Sequence, residues 1–241
     1  MRRNTQNNSN QQSGRQSGQQ TSVTPRNYRE AIQYGKRARG DFGRSGQGAY
    51  APPEDWHEPS DQPCSDYQVI TQEPGEGYRH VLTESEVRQR LEQLPQWMLQ
   101  DLEVVQLSRL TRKKLSFSCY GMQWGPALYL YPMDETLIEF FPHPPKPAQL
   151  VEAKMYGATW FEEGEGEWSL HWTEKSAKDF YLNNVLIHEL GHLLDTRNTG
   201  YVQRERYAEW FAIEHGYRPS RRAQLAAKAV KKVVRKRHHK S

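Results

Sequence analysis

Three things are scarce in this chain of 241 residues. Cysteine occurs only twice, at Cys64 and Cys119, which excludes a disulfide framework or a cysteine-rich zinc module and suits a reducing compartment. No run approaches ~18 apolar residues, so no transmembrane helix is expected. Residues 1–20 are mostly Asn, Gln, Ser, Gly and Arg and lack the apolar stretch of a secretory leader. The expected location is therefore the cytoplasm. Apolar residues make up 35 % of the chain, less than the ~45–50 % of an ordinary domain, so a normal core must be diluted by polar tails.

Charge divides the chain the same way. Residues 219–241 carry nine Lys/Arg and no Asp/Glu, residues 1–60 carry nine basic and five acidic groups, and residues 61–218 carry 15 basic against 24 acidic ones. The net charge of +4 thus hides an acidic middle between basic ends. Residues 1–60 show no hydrophobic periodicity and read as a disordered polar tail, with one short helix conceivable over 28–39. The globular part is expected over 67–218, long enough for a real core. In residues 219–241, Leu225/Ala226, Ala229/Val230 and Val233/Val234 recur every four residues with Lys and Arg opposite, which predicts a basic helical tail. Such a tail suits nucleic acid, an anionic membrane or an acidic protein partner, or it folds back over the acidic middle and covers its cleft.

Within the globular part, Thr83-Glu84-Ser85-Glu86 is a capping box ahead of Val87, Leu91 and Leu94, with Pro95 as the stop. Strand patterns follow over 115–119, 127–131 and 136–141, with residues 132–135 as a turn and 141–147 as a loop. Residues 155–161 and 167–173 flank Glu162-Glu163-Gly164-Glu165-Gly166 and predict a β-hairpin. Its second strand, directly before the next helix, is a candidate edge for pairing with an extended substrate. Helices are expected over 176–195 and 203–215, with Gly216 as a stop.

The chemistry-bearing residues fall in those last two helices. His188-Glu189-Leu190-Gly191-His192 lies at the end of an apolar, proline-free stretch, so the two histidines sit one turn apart on one helix face. That spacing suits two neighbouring positions of a tetrahedral zinc ion. Glu189 points about 100° away round the helix, where its carboxylate can take a proton from an attacking water. Gly191 costs ~1 kcal/mol relative to alanine inside a helix, and a close packing contact behind the metal would explain it. A third ligand is needed. Residues 195 and 198 are Asp and Asn rather than the Gly and His of a metzincin, whereas Glu205 and Glu209 lie four apart on the second helix. Paired carboxylates on a partly buried face imply a nearby cation. A short connecting loop brings Glu205 close to His192.

His188–His192 followed by Glu205 and Glu209 resembles the pattern of gluzincins, the thermolysin-like metallopeptidases. It is more similar still to the catalytic-domain family of anthrax lethal factor: His-Glu-Leu-Gly-His-Leu-Leu-Asp195, then Glu205-Arg-Tyr-Ala-Glu-Trp-Phe211. The resemblance spans about thirty residues. It implies His188, His192 and Glu205 as ligands of one Zn²⁺ per chain and Glu189 as general base. It further implies Glu209 behind the ligands, holding a histidine ring by its other N–H. Asp195, one turn past His192, reads as a helix-end hydrogen-bonding residue. Asn198 stands where lethal factor has its oxyanion-stabilising Tyr, so Tyr201 becomes the candidate, ahead of His171 and Tyr207.

The expected fold is α+β, a small gluzincin-like domain with a mixed or antiparallel sheet, a hairpin, a metal helix and a glutamate helix. The expected activity is zinc-dependent hydrolysis of a peptide or protein substrate. The competing expectations are a zinc-stabilised binding module without catalysis, and a nucleic-acid-associated protein held by residues 219–241.

Overall fold

A computed structural model of the chain describes residues 53, 55–60, 66–111 and 119–238. The expected helix over 28–39, most of the expected strand over 115–119, and Cys64 lie outside those residues.

The fold is α+β. A four-stranded mixed sheet has the order β1-β3-β5-β4. Strand β1 (Gln68–Thr71) runs parallel to β3 (Val104–Leu107), and β3 runs parallel to β5 (Ala127–Leu130). Strand β4 (Gly121–Trp124) closes an antiparallel hairpin with β5 through Gly125-Pro126 and forms one edge of the sheet. A second, antiparallel sheet has the order β7-β9-β8: Ile138–Phe141, Glu167–His171 and Thr159–Gly164. Two short strands, β2 (Tyr78–Arg79) and β6 (Met133–Asp134), pair apart from both.

Alternation along β5 explains the layering. Leu128 and Leu130 join Val105 and Leu107 in the main core, while Tyr129 and Tyr131 pack with Val104 on the other face. Residues from the expected disordered tail help cover that second face. The His57 backbone N–H donates to Tyr129 Oη at 2.7 Å, and the His57 ring lies 2.9 Å from the Glu103 carboxylate. Asp55 pairs with Arg109 at 2.8 Å. These are polar anchors, invisible to a search for hydrophobic periodicity.

The first helix, α1 (Glu84–Leu91), carries the expected capping box, with Thr83 and Glu86 satisfying each other's backbone N–H groups. The hairpin of β8 and β9 is present, but Met155 and Tyr156 belong to a helix rather than to its first strand. That helix, α2 (Pro147–Tyr156), is absent from the sequence reading. It starts with Pro147, whose fixed φ suits the first turn, and stops at Gly157 in the left-handed region at φ 84°. Residues 132–135 are only partly a turn, since Met133 and Asp134 pair with β2.

Two long helical stretches follow, each interrupted by a π turn. The first runs through α3 (Glu174–Phe180), a π turn (Tyr181–Val185) and α4 (Leu186–Leu194). The second runs through α5 (Tyr201–Ala212), a π turn (Ile213–Tyr217) and α6 (Arg218–His238). Gly216 is therefore not a stop. It sits where the two π turns touch, and a Cβ there would overlap the Asn183 carbonyl oxygen. Buried Arg90 braces the junction: Nε donates to Asn183 Oδ1 at 2.8 Å and Nη2 to the His215 carbonyl at 2.6 Å. Each π turn shifts the hydrogen-bond ladder by one residue and frees backbone groups; Arg90 satisfies the His215 carbonyl and Tyr156 Oη the Asn183 carbonyl.

Gly216→Ala is expected to cost about 3 kcal/mol, because the opposing group is backbone and cannot rotate away. In thermal unfolding this is a fall of roughly 6–12 °C; an unchanged midpoint would show that the two turns do not meet this closely.

Candidate metal centre

Helix α4 buries Leu186, Ile187 and Leu190 completely in the core. This fixes its rotation and turns His188 and His192 toward α5. The chain reverses in the loop 195–200. Asp195 holds that turn: its Oδ1 accepts from the Arg197 and Asn198 backbone N–H groups at 3.4 and 3.2 Å and from Asn198 Nδ2 at 2.9 Å. Burial alone would raise its pKa, but the hydrogen bonds from Asn198 and Arg197 outweigh that and lower it. Asn198 thus serves the loop. Helix α5 then packs back along α4, with Gly191 at the crossing. A Cβ on Gly191 would lie 3.1 Å from Ala208 Cα and 3.1 Å from Phe211 Cβ. This is the close contact expected behind the histidines.

The reversal brings Glu205 between them. His188 Nε2 and His192 Nε2 are 3.1 Å apart, and the Glu205 oxygens lie 3.5 Å from the first and 3.4 Å from the second. Two corners of a tetrahedron with metal–ligand bonds near 2.0–2.1 Å are about 3.3 Å apart. The three side chains therefore have the spacing that one zinc ion requires. They form the only group of three or more such ligands among the described residues.

The electrostatics match that use. Burial and the neighbouring His188 push the His192 pKa down to about 4, so its ring is neutral and able to donate a lone pair. Burial also pushes His188 down, but its hydrogen bond to Glu205 and the charges of Glu189, Glu205 and Glu209 raise it overall. The same His188 bond holds the Glu205 carboxyl below its usual range.

Glu189 is buried beside this cluster, and burial raises its pKa to about 7. The charge of His188 opposes this shift most, and β4 adds to it: the Gln123 backbone N–H donates to the Glu189 carboxylate. Tyr131 N–H bonds to Tyr120 O across the hairpin, so by antiparallel alternation Gly121 and Gln123 turn their backbone groups away from β5. Among the described residues no strand pairs with that outward side of β4, which faces the site through the Gln123 N–H. The strand comes this close because residue 121 is glycine, where a Cβ would lie 2.7 Å from Val185 Cγ1 and 2.9 Å from Glu189 Oε1. Arg204 ties the same strand to the helix, with Nη2 donating to His192 O at 3.2 Å and to Gln123 Oε1 at 3.4 Å.

The other expected residues are placed as follows. Glu209 is exposed one turn beyond Glu205, near enough for its charge to raise His188. Tyr201 opens α5 one turn before Glu205, 56 % exposed. Tyr207 lies under the Arg197 guanidinium and against Trp210 and Phe211. His171 sits on β9 with its Nε2 2.8 Å from Ser169 Oγ. Strand β9 is the centre of its sheet, paired on both sides, so it has no free edge for a substrate; the edge beside the histidines is β4. The sequence reading missed Gly121, Gln123 and Arg204. Only the Gly125-Pro126 dipeptide signalled a turn there. It also missed Glu152 on α2, which accepts from Asn184 Nδ2 at 2.6 Å. Desolvation of the Glu152 carboxyl raises its pKa.

Comparison with protein-family models, with curated proteins and with solved structures gives no match. The functional reading rests on the geometry.

A buried acid whose folded pKa is about 7 binds its proton more tightly in the folded state. Metal-free protein should lose stability as pH rises from about 4.5 to 7, by up to roughly 3 kcal/mol from this group. Chemical denaturation of chelator-treated Glu189→Gln should lack this component and match wild type near pH 4.5. Parallel wild-type and variant curves up to pH 8 would refute the raised pKa.

Proposed function

We propose that this chain is a zinc-dependent metallopeptidase of gluzincin type. The observation that carries the reading is the triangle of His188, His192 and Glu205, spaced for one tetrahedral ion, with the buried Glu189 carboxylate beside it. Three protein ligands leave a fourth position open, the arrangement of catalytic rather than structural sites. Zinc held there supplies Lewis-acid polarisation of a carbonyl and lowers the pKa of water toward ~7.

The chain's own residues do the rest. Glu189, buried beside the three ligands, accepts the proton of the attacking water and returns it to the leaving amine. The Gln123 N–H keeps its carboxylate oriented. An extended substrate lies along the outward side of β4 and pairs with the backbone groups there that Glu189 and Cys119 leave open. Glu209 supports His188 by charge, and Tyr201 is the residue on the Glu205 side of the site to stabilise the developing oxyanion.

Elemental analysis of purified protein should give one zinc per chain, lost in His188→Ala and Glu205→Ala. Glu189→Gln should keep the zinc and lose on the order of 10²–10⁴ in peptide turnover. Zinc binding with turnover unaffected by Glu189→Gln would reduce the site to a structural metal in a binding module. No zinc uptake even when it is supplied would refute the reading outright.

Gly121→Ala should likewise retain zinc while lowering turnover, since the added methyl meets Glu189 and Val185. An expected loss of about tenfold is read from kcat at saturating substrate, with KM reporting on the β4 edge.

A further inference from the structure

Among the described residues, helix α6 is held at its start. Arg221 pairs with Asp179 at 2.6 Å, donates to Met155 O at 3.0 Å and stacks over Tyr217 at 4.6 Å. Ser220 Oγ donates to Asp179 at 3.2 Å. From Ala223 to Lys231 every residue is exposed, so this stretch does not fold over the acidic domain to cover its cleft. Leu225 and Val230 are 66 % and 62 % exposed. At 3.6 residues per turn, Leu225, Ala226, Ala229 and Val230 share one side of the helix, and Lys228 and Lys231 take the other. The sequence repeats this period through Val233 and Val234, with Lys232, Arg235 and Lys236 between and after them.

A helix of 21 residues, roughly 30 Å long, that exposes an apolar side gains little from tertiary packing. Pairing with a second copy through that side would set the lysines and arginines of one helix against those of the other, with only Arg218 and Arg221, among the described residues, already paired to acids, Glu214 and Asp179. Nucleic acid would neutralise the lysines but leave Leu225 and Val230 in water. An anionic lipid surface takes both sides at once: the apolar side enters the headgroup boundary and the basic side meets the phosphates.

We propose that α6 is a membrane-surface anchor that lies in the interface of anionic lipid bilayers. Its apolar side chains are small, with one leucine and no aromatic residue. Binding therefore depends on charge, at about 1 kcal/mol per Lys or Arg near the surface, and is reversible by salt. This inference is independent of the peptidase reading.

The test is flotation of the full chain with phosphatidylcholine vesicles, with and without about a quarter phosphatidylserine. The same proteins are titrated onto a fluorescent DNA duplex. Two double variants at exposed positions separate the faces: Leu225→Gln with Val230→Gln keeps the charge, and Lys228→Gln with Lys231→Gln keeps the apolar side. Flotation only with the anionic vesicles, weakened about tenfold or more by either pair, is the expected result. Absence of flotation with anionic vesicles overturns the proposal. So does flotation that ignores the Leu225/Val230 pair, which marks a purely electrostatic tail. Duplex binding tighter than vesicle binding and lost only with the lysine pair assigns the helix to nucleic acid instead.

Discussion

The close crossing of α4 and α5 at Gly191 is the constraint on which the rest of the centre depends. The separation of the two histidine rings follows from one helix alone. The position of Glu205 does not, because it belongs to a different helix and reaches the rings only if the two backbones nearly touch. With Ala208 Cα 3.1 Å from where a Cβ would stand, the crossing is tighter than an alanine fits without its neighbours giving way. A larger residue would press the helices apart by a few tenths of an ångström and draw Glu205 away from the rings, which its two oxygens approach to 3.5 and 3.4 Å. The roughly 1 kcal/mol of helix propensity lost at glycine is offset by the packing of Phe211 and Ala208 across the crossing.

The same device recurs on two other sides of the helical stretch that carries the two histidines. Gly121 lets the edge strand press against Glu189 and Val185, and Gly216 lets the second π turn press against Asn183. Three close approaches thus fix the rotation and height of one helical stretch. Arg90 and Tyr156 satisfy backbone and side-chain groups at the π-turn junction, with Tyr156 Oη donating to Asn183 O at 3.1 Å. The π turn just before His188 offsets α4 from α3. Its first residue, Tyr181, donates to Tyr131 O at 2.7 Å, which links the metal helix to the end of β5.

Charge is arranged on a larger scale. The centre collects Glu189, Glu205, Glu209 and, from α2, Glu152: burial raises the carboxyls of Glu189 and Glu152 most, and the charges of Glu205 and Glu209 respectively raise them further. A divalent cation would relieve that crowding. The cations of the chain are concentrated instead on a helix that leaves the domain. Its first turn is tied by Asp179 and Arg221, so its direction is set by the π-turn junction that also supports the metal helix.

Local sequence determined what local periodicity can carry. The helix holding His188 and His192, the capping box at Thr83, the hairpin around Gly164 and the helical basic tail all follow from spacings of two, three or four residues within one segment. The role of Gly191 was legible for the same reason, since a glycine inside an apolar helix demands a packing partner. The partners themselves were decided by tertiary structure. Gly216 carries the ordinary signal of a helix end, yet the helix passes through it, because a π turn and the Asn183 backbone absorb the irregularity. Strand β9 looks like an edge until β7 pairs with it. Strand β4 has little strand signal of its own and becomes the edge beside Glu189 only through its hairpin with β5. Helix α2 was hidden because its proline reads as a loop when its position in the first turn is unknown. Residues far apart in sequence meet by close packing, and close packing depends on shapes that no single segment contains.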